Sequence, residues 1–149
     1  MKSIASLEEL YSEAARIVSS LAACPDCATV LALSGDLGAG KTAFTQQVAK
    51  FLGVTDSVTS PTFVLEKIYP LENQKWERLV HIDAYRLETI DELSTIGWSE
   101  LLHDPRNLIL IEWPEMITEA IPEDAMKLRF DIQGDERIIS VHGKEKDSV

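Results

Sequence analysis

Eight residues near the start of the chain constrain its fold more than any other stretch. Residues 35–42 read Gly-Asp-Leu-Gly-Ala-Gly-Lys-Thr, which is a complete phosphate-binding loop (P-loop) pattern. The glycines let the backbone curl so that successive N–H groups can point at phosphate oxygens. Lys41 adds a positive charge for the β- and γ-phosphates, and the hydroxyl of Thr42 is a hard oxygen ligand suited to Mg²⁺. The pattern predicts that this chain binds a nucleoside triphosphate.

The residues on either side of the loop have the patterns of a strand and a helix. Residues 29–33 form an apolar, partly β-branched run, as expected of a buried parallel strand. After the loop, Phe44, Val48 and Leu52 recur at helical spacing. Gly53 then stands where a C-terminal cap belongs. Because a helix N-terminus carries a partial positive charge, this strand, turn and helix provide the setting in which such a loop binds phosphate.

Length and composition indicate one globular domain. The chain has 149 residues, of which 45% are hydrophobic, and it contains no apolar run long enough for a membrane span or a signal-peptide core. We expect residues 1–149 to form a single cytoplasmic domain, with residues 143–149 as a frayed polar tail. Acidic residues outnumber basic ones by 25 to 14, and there is no basic run. Strong direct binding to nucleic acid is therefore not expected, although a role beside nucleic acid through a protein partner stays open.

Apolar patterns along the rest of the chain predict an α/β fold. Residues 6–9 have the pattern of a helix-capping box and precede an amphipathic stretch. Two strand-like runs, 62–69 and 76–82, flank a polar turn and favour a hairpin. Residues 107–113 include a run that is apolar on both faces, as in a buried strand, whereas residues 126–132 alternate as in a half-exposed antiparallel strand. We therefore predict a single-domain P-loop NTPase fold with a mixed sheet, parallel in its core and antiparallel at its edges, flanked by helices.

Hydrolysis of a bound triphosphate also requires a carboxylate at the end of a neighbouring strand. Two strand-like runs end in an acid, one in Asp83 and the other in Glu112. The second run is the more uniformly apolar, so we predict that Glu112 lies beside Thr42. There it would bind Mg²⁺, directly or through water, or orient the attacking water, and Asp83 could supply the other of these functions. For either acid the alternative is a residue that caps the next helix or is merely solvated.

Three further features each leave two interpretations open. Residues 60–63 (Ser-Pro-Thr-Phe) lie where a switch segment would sense the γ-phosphate, but they could equally begin a strand. Trp113 is either a core anchor or a lid over the nucleotide. Arg86 is either a charge stabiliser or a salt-bridge partner of Asp83.

Cys24 and Cys27 form a Cys-x-x-Cys pair in a predicted loop. A zinc site would need two more nearby ligands, and the histidines at 81, 103 and 142 lie far away in sequence. A redox dithiol would need the pair at a helix N-terminus after a strand, whereas this pair precedes the strand. We therefore expect two reduced thiols without a function.

Four blocks of the sequence together resemble the TsaE (YjeE) family, small bacterial ATPases required for the formation of threonylcarbamoyl-adenosine in tRNA. The blocks are residues 35–42, 60–63, 81–87 and 111–114, and they have the family's order and spacing. The resemblance implies a cytoplasmic P-loop ATPase of low intrinsic rate, with ATP and Mg²⁺ as cofactors. It would act on a complex of TsaB-like and TsaD-like proteins that modifies adenosine 37 of tRNA, and tRNA would be held by these partners. A small-molecule kinase and a nucleotide-gated interaction module without essential hydrolysis are the alternatives.

The same resemblance implies roles for individual residues. Lys41, Asp83 and Glu112 would be catalytic, and Thr42 and Glu112 would hold Mg²⁺. Ala43 stands where the family usually has a second threonine, and the missing hydroxyl puts the affinity, not the activity class, in doubt. The residues that would contact the nucleotide come from the loop, from the ends of the two acid-terminated strands and from both ends of the chain: Glu8, Asp36, Leu37, Gly38, Ala39, Gly40, Lys41, Thr42, Ala43, Asp83, Trp113 and Arg137.

Overall fold

Seven strands among the described residues form one mixed sheet. The computed structural model describes residues 2–36, 38–55, 66–87 and 89–142, except for the side chains of Arg86 and Ile90. The strands are β1 (Lys2–Ile4), β2 (Thr29–Gly35), β3 (Glu66–Pro70), β4 (Arg78–Asp83), β5 (Asn107–Glu112), β6 (Met126–Gln133) and β7 (Glu136–His142). Their order in the sheet is β1-β7-β6-β2-β5-β4-β3, with β2 parallel to β5 and β6, and β4 parallel to β5.

Helical segments cover both faces of the sheet. Helix α1 (Leu7–Ser20) begins at the predicted capping box, where Ser6 Oγ accepts a hydrogen bond from the Glu9 N–H at 3.2 Å. None of the described helices is both long and apolar enough to cross a membrane. The helices are α1 (Leu7–Ser20), α2 (Lys41–Phe51) and α3 (Trp98–Leu102), and 3₁₀ segments span Ala84–Arg86, Ile90–Ile96 and Pro114–Ala120.

Two apolar clusters fill the space on either side of the sheet. One lies beneath α1 and α2 and includes Leu33 and Leu110, whose side chains point to that face. The other lies beneath α3 and the 3₁₀ segments and includes Ile82 and Ile111. All six residues of β5 are buried, because β5 has a parallel neighbour on each side and a layer over each face. The end of β5 is therefore a rigid position on which to build a site.

The predicted mixed sheet is confirmed, and two strands differ from expectation. Strands β3 and β4 form the predicted antiparallel hairpin, although residues 62–65 lie outside the described part of the chain. Strand β6 is antiparallel to β7 but parallel to β2, so the prediction of an antiparallel strand is correct on one side only. Alternation reports which face is covered and not the direction of a neighbour. Strand β1 was not predicted, because three residues are too few to show a pattern.

The loop between α1 and β2 contains a disulfide between Cys24 and Cys27. The expectation of two reduced thiols is therefore wrong for this structure. The loop brings the two Cα atoms to 5.3 Å, which lies within the span of a disulfide. The sequence argument considered only a zinc site, which needs further ligands, and a redox dithiol at a helix N-terminus. A disulfide formed within a turn requires neither further ligands nor a helix.

Candidate functional site

The loop between β2 and α2 depends on glycine at two positions. A Cβ at Gly35 would overlap the carbonyl oxygen of Phe130, so only glycine lets β2 approach β6 so closely here. Gly40 is the N-cap of α2 and has a left-handed backbone, with φ of 110°. Within the described chain this N-cap makes no side-chain hydrogen bond, and the first turn holds no acidic residue. The N–H groups of that turn can therefore donate hydrogen bonds to an anion.

Lys41 is buried against the loop, with 4% of its surface exposed. Its Nζ donates hydrogen bonds to the carbonyl oxygens of Gly35 and, at 3.4 Å, of Asp36. It also lies 3.6 Å from the centre of the Trp113 ring. Burial lowers the pKa of Lys41, and the negative charge of Glu112 opposes this effect. The ammonium is held by neutral oxygens and a ring face, which an incoming phosphate can replace.

The hydroxyl of Thr42 faces the carboxylate of Glu112. Thr42 Oγ1 lies 3.1 Å from each of the two carboxylate oxygens. Glu112 ends β5, and the parallel register places it opposite Leu33 of β2 and Asp83 of β4. His81 of β4 reaches the same carboxylate, with its Nε2 2.5 Å from Glu112 Oε2. A half-buried threonine, a buried glutamate and a buried histidine thus form one polar cluster beneath the loop.

The oxygens of Thr42 and Glu112 fit a pair of neighbouring Mg²⁺ ligands. Octahedral Mg²⁺ with ligands at 2.0–2.1 Å places adjacent ligand oxygens about 2.9 Å apart. The observed separations of 3.1 Å are close to this value. Across the described residues, no three His, Cys, Asp or Glu side chains form a metal-binding cluster. Mg²⁺ at this position would take its other ligands from phosphate and water, as it commonly does.

Trp113 follows Glu112 and covers Lys41 from outside. Its backbone is left-handed, with φ of 61° and ψ of 50°, and its N–H donates to the carbonyl oxygen of Leu33 at 3.2 Å. The ring of Tyr85 packs against the indole, with the centroids 4.9 Å apart. Trp113 also packs against the apolar cluster beneath α3, so the core-anchor role is present, and the role of a lid over the nucleotide stays a prediction. A non-glycine residue in this conformation is strained, and such strain often marks a functional position.

Asp83 lies next to Glu112 in the parallel register of β4 and β5. Its Oδ1 accepts a hydrogen bond from the Tyr85 N–H at 3.0 Å, so it caps the short segment Ala84–Arg86. The capping role foreseen as an alternative is therefore present, and a role in catalysis stays a prediction. The predictions for Leu37, for the Arg86 side chain and for residues 60–63 lie outside the described part of the chain.

A cavity of about 330 Å³ opens beside the loop. The turn between β1 and α1 forms one wall, and the strands β6 and β7 form another. Arg137 lines this cavity, whereas Glu8 does not and lies in a neighbouring groove with Glu9 and Arg16. Asp36 is exposed at the edge of the loop. The predicted nucleotide contacts that line the cavity are Gly38, Ala39, Gly40, Ala43 and Arg137.

Sequence reasoning did not identify His81 as part of the site. The signal was present, because His81 is a polar residue inside the apolar run between Leu79 and Ile82. A buried polar side chain requires a partner, and the partner at the end of the adjacent strand is Glu112. Only the register between β4 and β5 reveals this pairing.

Comparisons with known proteins agree on one family. Residues 4–139 match the family model described as "Threonylcarbamoyl adenosine biosynthesis protein TsaE". A relative from Borreliella burgdorferi, named tRNA threonylcarbamoyladenosine biosynthesis protein TsaE, is 36% identical over 115 residues, covering 76% of this chain and 81% of the relative. A relative of the same name from Bacillus subtilis is 41% identical over 107 residues, covering 72% of this chain and 64% of the relative.

Two further similarities point the same way. A relative from Streptomyces coelicolor with the same name is 43% identical over 100 residues, covering 66% of each chain. The matched stretch thus spans slightly less than two thirds of the Bacillus and Streptomyces proteins. The crystal structure of YdiB from Bacillus subtilis superimposes with a TM-score of 0.67 at 31% identity, covering 93% of this chain and 80% of that one.

Proposed function

This chain belongs to the TsaE family of tRNA threonylcarbamoyladenosine biosynthesis proteins, and we propose that it binds and hydrolyses ATP in that process. Hydrolysis would act on a complex of TsaB-like and TsaD-like proteins. The observation that carries the proposal is the hydroxyl of Thr42, 3.1 Å from both oxygens of Glu112 at the first turn of α2. A P-loop followed by this pair has the parts that Mg²⁺-dependent phosphoryl transfer requires.

The loop supplies the groups that bind the phosphates. The uncapped N-terminus of α2 offers N–H donors, and Lys41 would exchange the Gly35 carbonyl for phosphate oxygens. The low exposure of Lys41 strengthens its attraction to a phosphate, because little water screens the charge. The nucleoside would occupy the adjacent cavity beside Ala43 and Arg137. The cavity volume of about 330 Å³ lies within the range of small-molecule binding sites and is compatible with a nucleoside.

Glu112 and Asp83 would have different functions in hydrolysis. Thr42 and Glu112 would hold Mg²⁺, which neutralises charge on the phosphates when it is bound. Asp83 is the candidate for orienting the attacking water, because it stands beside Glu112 at the same edge of the sheet and is 7% exposed. The formal net charge of −11 disfavours direct binding of this chain to the tRNA backbone, which supports the proposal that the partner proteins hold the tRNA.

ATP turnover measured with and without TsaB-like and TsaD-like proteins and tRNA tests this proposal. We expect the partners to increase the turnover of the wild type. Glu112→Gln should lower it at least about 100-fold, because a neutral amide is a poor Mg²⁺ ligand. Glu119→Gln changes an exposed acid on the segment that follows Glu112 and should behave like the wild type.

Two results would contradict the proposal. Turnover that stays at background with all partners present would exclude hydrolysis by this chain. Full tRNA modification by Glu112→Gln without hydrolysis would instead support a nucleotide-gated interaction module.

A further inference from the structure

We propose that His81 is a positioning residue for Glu112. Its Nε2–H would hold the carboxylate in the orientation in which both oxygens face Thr42 Oγ1. This inference rests on the proposed role of Glu112 as a Mg²⁺ ligand. It adds His81 to Thr42 as a second residue that contacts the Glu112 carboxylate.

His81 occupies a position that packing alone would give to an apolar side chain. It lies in the middle of β4, is 0% exposed, and pairs in register with Leu110 of β5. Leu79, on the same face of β4, is also fully buried, as is Leu110. A leucine at position 81 would continue this apolar layer without a polar group that needs a partner. The imidazole therefore requires an explanation beyond packing, and its contact with Glu112 provides one.

The contact assigns the hydrogen between the two side chains. An ionised carboxylate only accepts hydrogen bonds, so the hydrogen in the 2.5 Å contact belongs to His81 Nε2. His81 Nδ1 has no hydrogen-bond partner among the described residues. This fits the tautomer in which Nδ1 carries a lone pair and Nε2 carries the proton. Among the described residues, the imidazole of His81 thus makes its hydrogen bond through Nε2 to Glu112.

Two donors fix the rotation of the Glu112 carboxylate. The last torsion of a glutamate has broad minima, so a carboxylate without partners rotates readily. Here Oε2 accepts from His81, while Thr42 Oγ1 stands at equal distances from both oxygens. A group that hydrogen-bonds a metal-binding carboxylate in this way orients the carboxylate before the metal arrives. Removing His81 should therefore weaken Mg²⁺ binding more than nucleotide binding.

The test compares His81→Leu, His81→Gln and Val80→Ala in the full chain. Binding of a fluorescent N-methylanthraniloyl ATP is measured in EDTA and across a Mg²⁺ titration. We expect His81→Leu to raise the half-saturating Mg²⁺ concentration about 10- to 100-fold, with metal-free affinity changed less than about threefold. The amide of His81→Gln can still donate to Glu112 and should recover most of this loss. Val80→Ala alters a buried residue on the opposite face of β4 and controls for a weakened core.

Each outcome decides the inference. Equal Mg²⁺ dependence in His81→Leu and Val80→Ala would overturn it, and so would a His81→Gln variant no better than His81→Leu. A wild type whose nucleotide binding ignores Mg²⁺ would overturn the proposed function itself, and this inference with it. The two failures are distinguishable, because failure of the proposed function is detected by measuring the wild type, whereas failure of this inference is detected by comparing the variants.

A second measurement needs no change at His81. In the wild type labelled with ¹⁵N-histidine, we expect one Nε2–H proton, from His81, to exchange slowly with solvent. Glu112→Gln should shift that resonance, and Glu119→Gln should leave it in place. A signal that is absent, or that does not respond to Glu112→Gln, would overturn the inference even if the His81 variants failed to fold.

Discussion

The ammonium group of Lys41 lies 3.6 Å from the centre of the Trp113 ring. A cation at this distance from an indole face is stabilised by about 0.5–2 kcal/mol, with the larger values at sites shielded from water. The ammonium group that would bind phosphate therefore has the Trp113 ring as a direct neighbour. Because Trp113 is also strained and contacts Tyr85, nucleotide binding should alter its surroundings.

Trp113 should report nucleotide binding by its fluorescence. The other two tryptophans are buried, and their indole N–H groups are hydrogen-bonded, that of Trp76 to Thr29 Oγ1 and that of Trp98 to the carbonyl oxygen of Ala120. We expect Trp113→Phe to abolish the change in emission that ATP causes, and Trp76→Phe to retain it. A change that persists in Trp113→Phe would show that another tryptophan reports the binding, and it would contradict this prediction.

Lys41→Ala should weaken the binding of Mg²⁺-ATP. A hydrogen bond to a charged group contributes about 1.5–3 kcal/mol, so we expect a loss of roughly 10- to 150-fold in affinity by isothermal titration. Lys50→Ala removes an exposed lysine from the last turn of the same helix and should bind like the wild type. Equal affinity of the two variants would remove Lys41 from the phosphate site.

Thr42→Ala and Thr42→Ser should separate metal binding from nucleotide binding. Alanine removes the hydroxyl that faces Glu112, whereas serine keeps it. We expect Thr42→Ala to reduce Mg²⁺-dependent turnover by about 10- to 100-fold and to leave nucleotide binding in EDTA nearly unchanged. Thr42→Ser should retain most of the turnover. Normal hydrolysis by Thr42→Ala would exclude residue 42 from the metal site.

Asp104 should contribute stability that acid removes. Its carboxylate accepts two hydrogen bonds from the Arg106 side chain, each at 2.9 Å, and contacts Arg78. The hydrogen bonds from the Arg106 side chain, foremost, hold the pKa of Asp104 well below its usual range. Because the unfolded chain has the ordinary pKa near 3.9, it takes up a proton first as the pH falls. The contribution is thus complete above about pH 5 and shrinks as the pH falls through 4 and below.

Urea unfolding at pH 7 and pH 3 checks this prediction. Asp104→Asn should lower the unfolding midpoint at pH 7, and the difference from the wild type should be smaller at pH 3. Asp91→Asn, at an exposed position, serves as the control. A difference that is the same at both pH values would contradict the assignment.

Gly35→Ala should destabilise the fold far more than Gly134→Ala. A Cβ at Gly35 would meet the backbone of Phe130, so β2 and β6 would have to separate. At Gly134, in the turn between β6 and β7, no atom lies within 4 Å of an added Cβ, and only the positive φ of 63° is unfavourable. We expect losses of more than about 3 kcal/mol and of about 1 kcal/mol, respectively, in the free energy of unfolding. Similar losses would contradict the close approach of the two strands.

The sequence was sufficient where one local pattern carried the information. The loop at 35–42 has a distinctive spacing, and β5 is apolar on both faces, so Thr42 and Glu112 could be expected at the same sheet edge. The contact of His81 with Glu112 was out of reach, because it depends on how two strands align. The direction of β6 relative to β2 was hidden for a related reason, since alternation does not encode it.

Glu112 and Trp113 are joined by a single peptide bond, although one faces the hydroxyl of Thr42 and the other lies over Lys41. Both side chains therefore reach the loop from adjacent backbone positions at the end of one buried strand. A substitution that shifts the backbone at either residue would disturb the carboxylate that faces Thr42 and the ring over Lys41 at the same time.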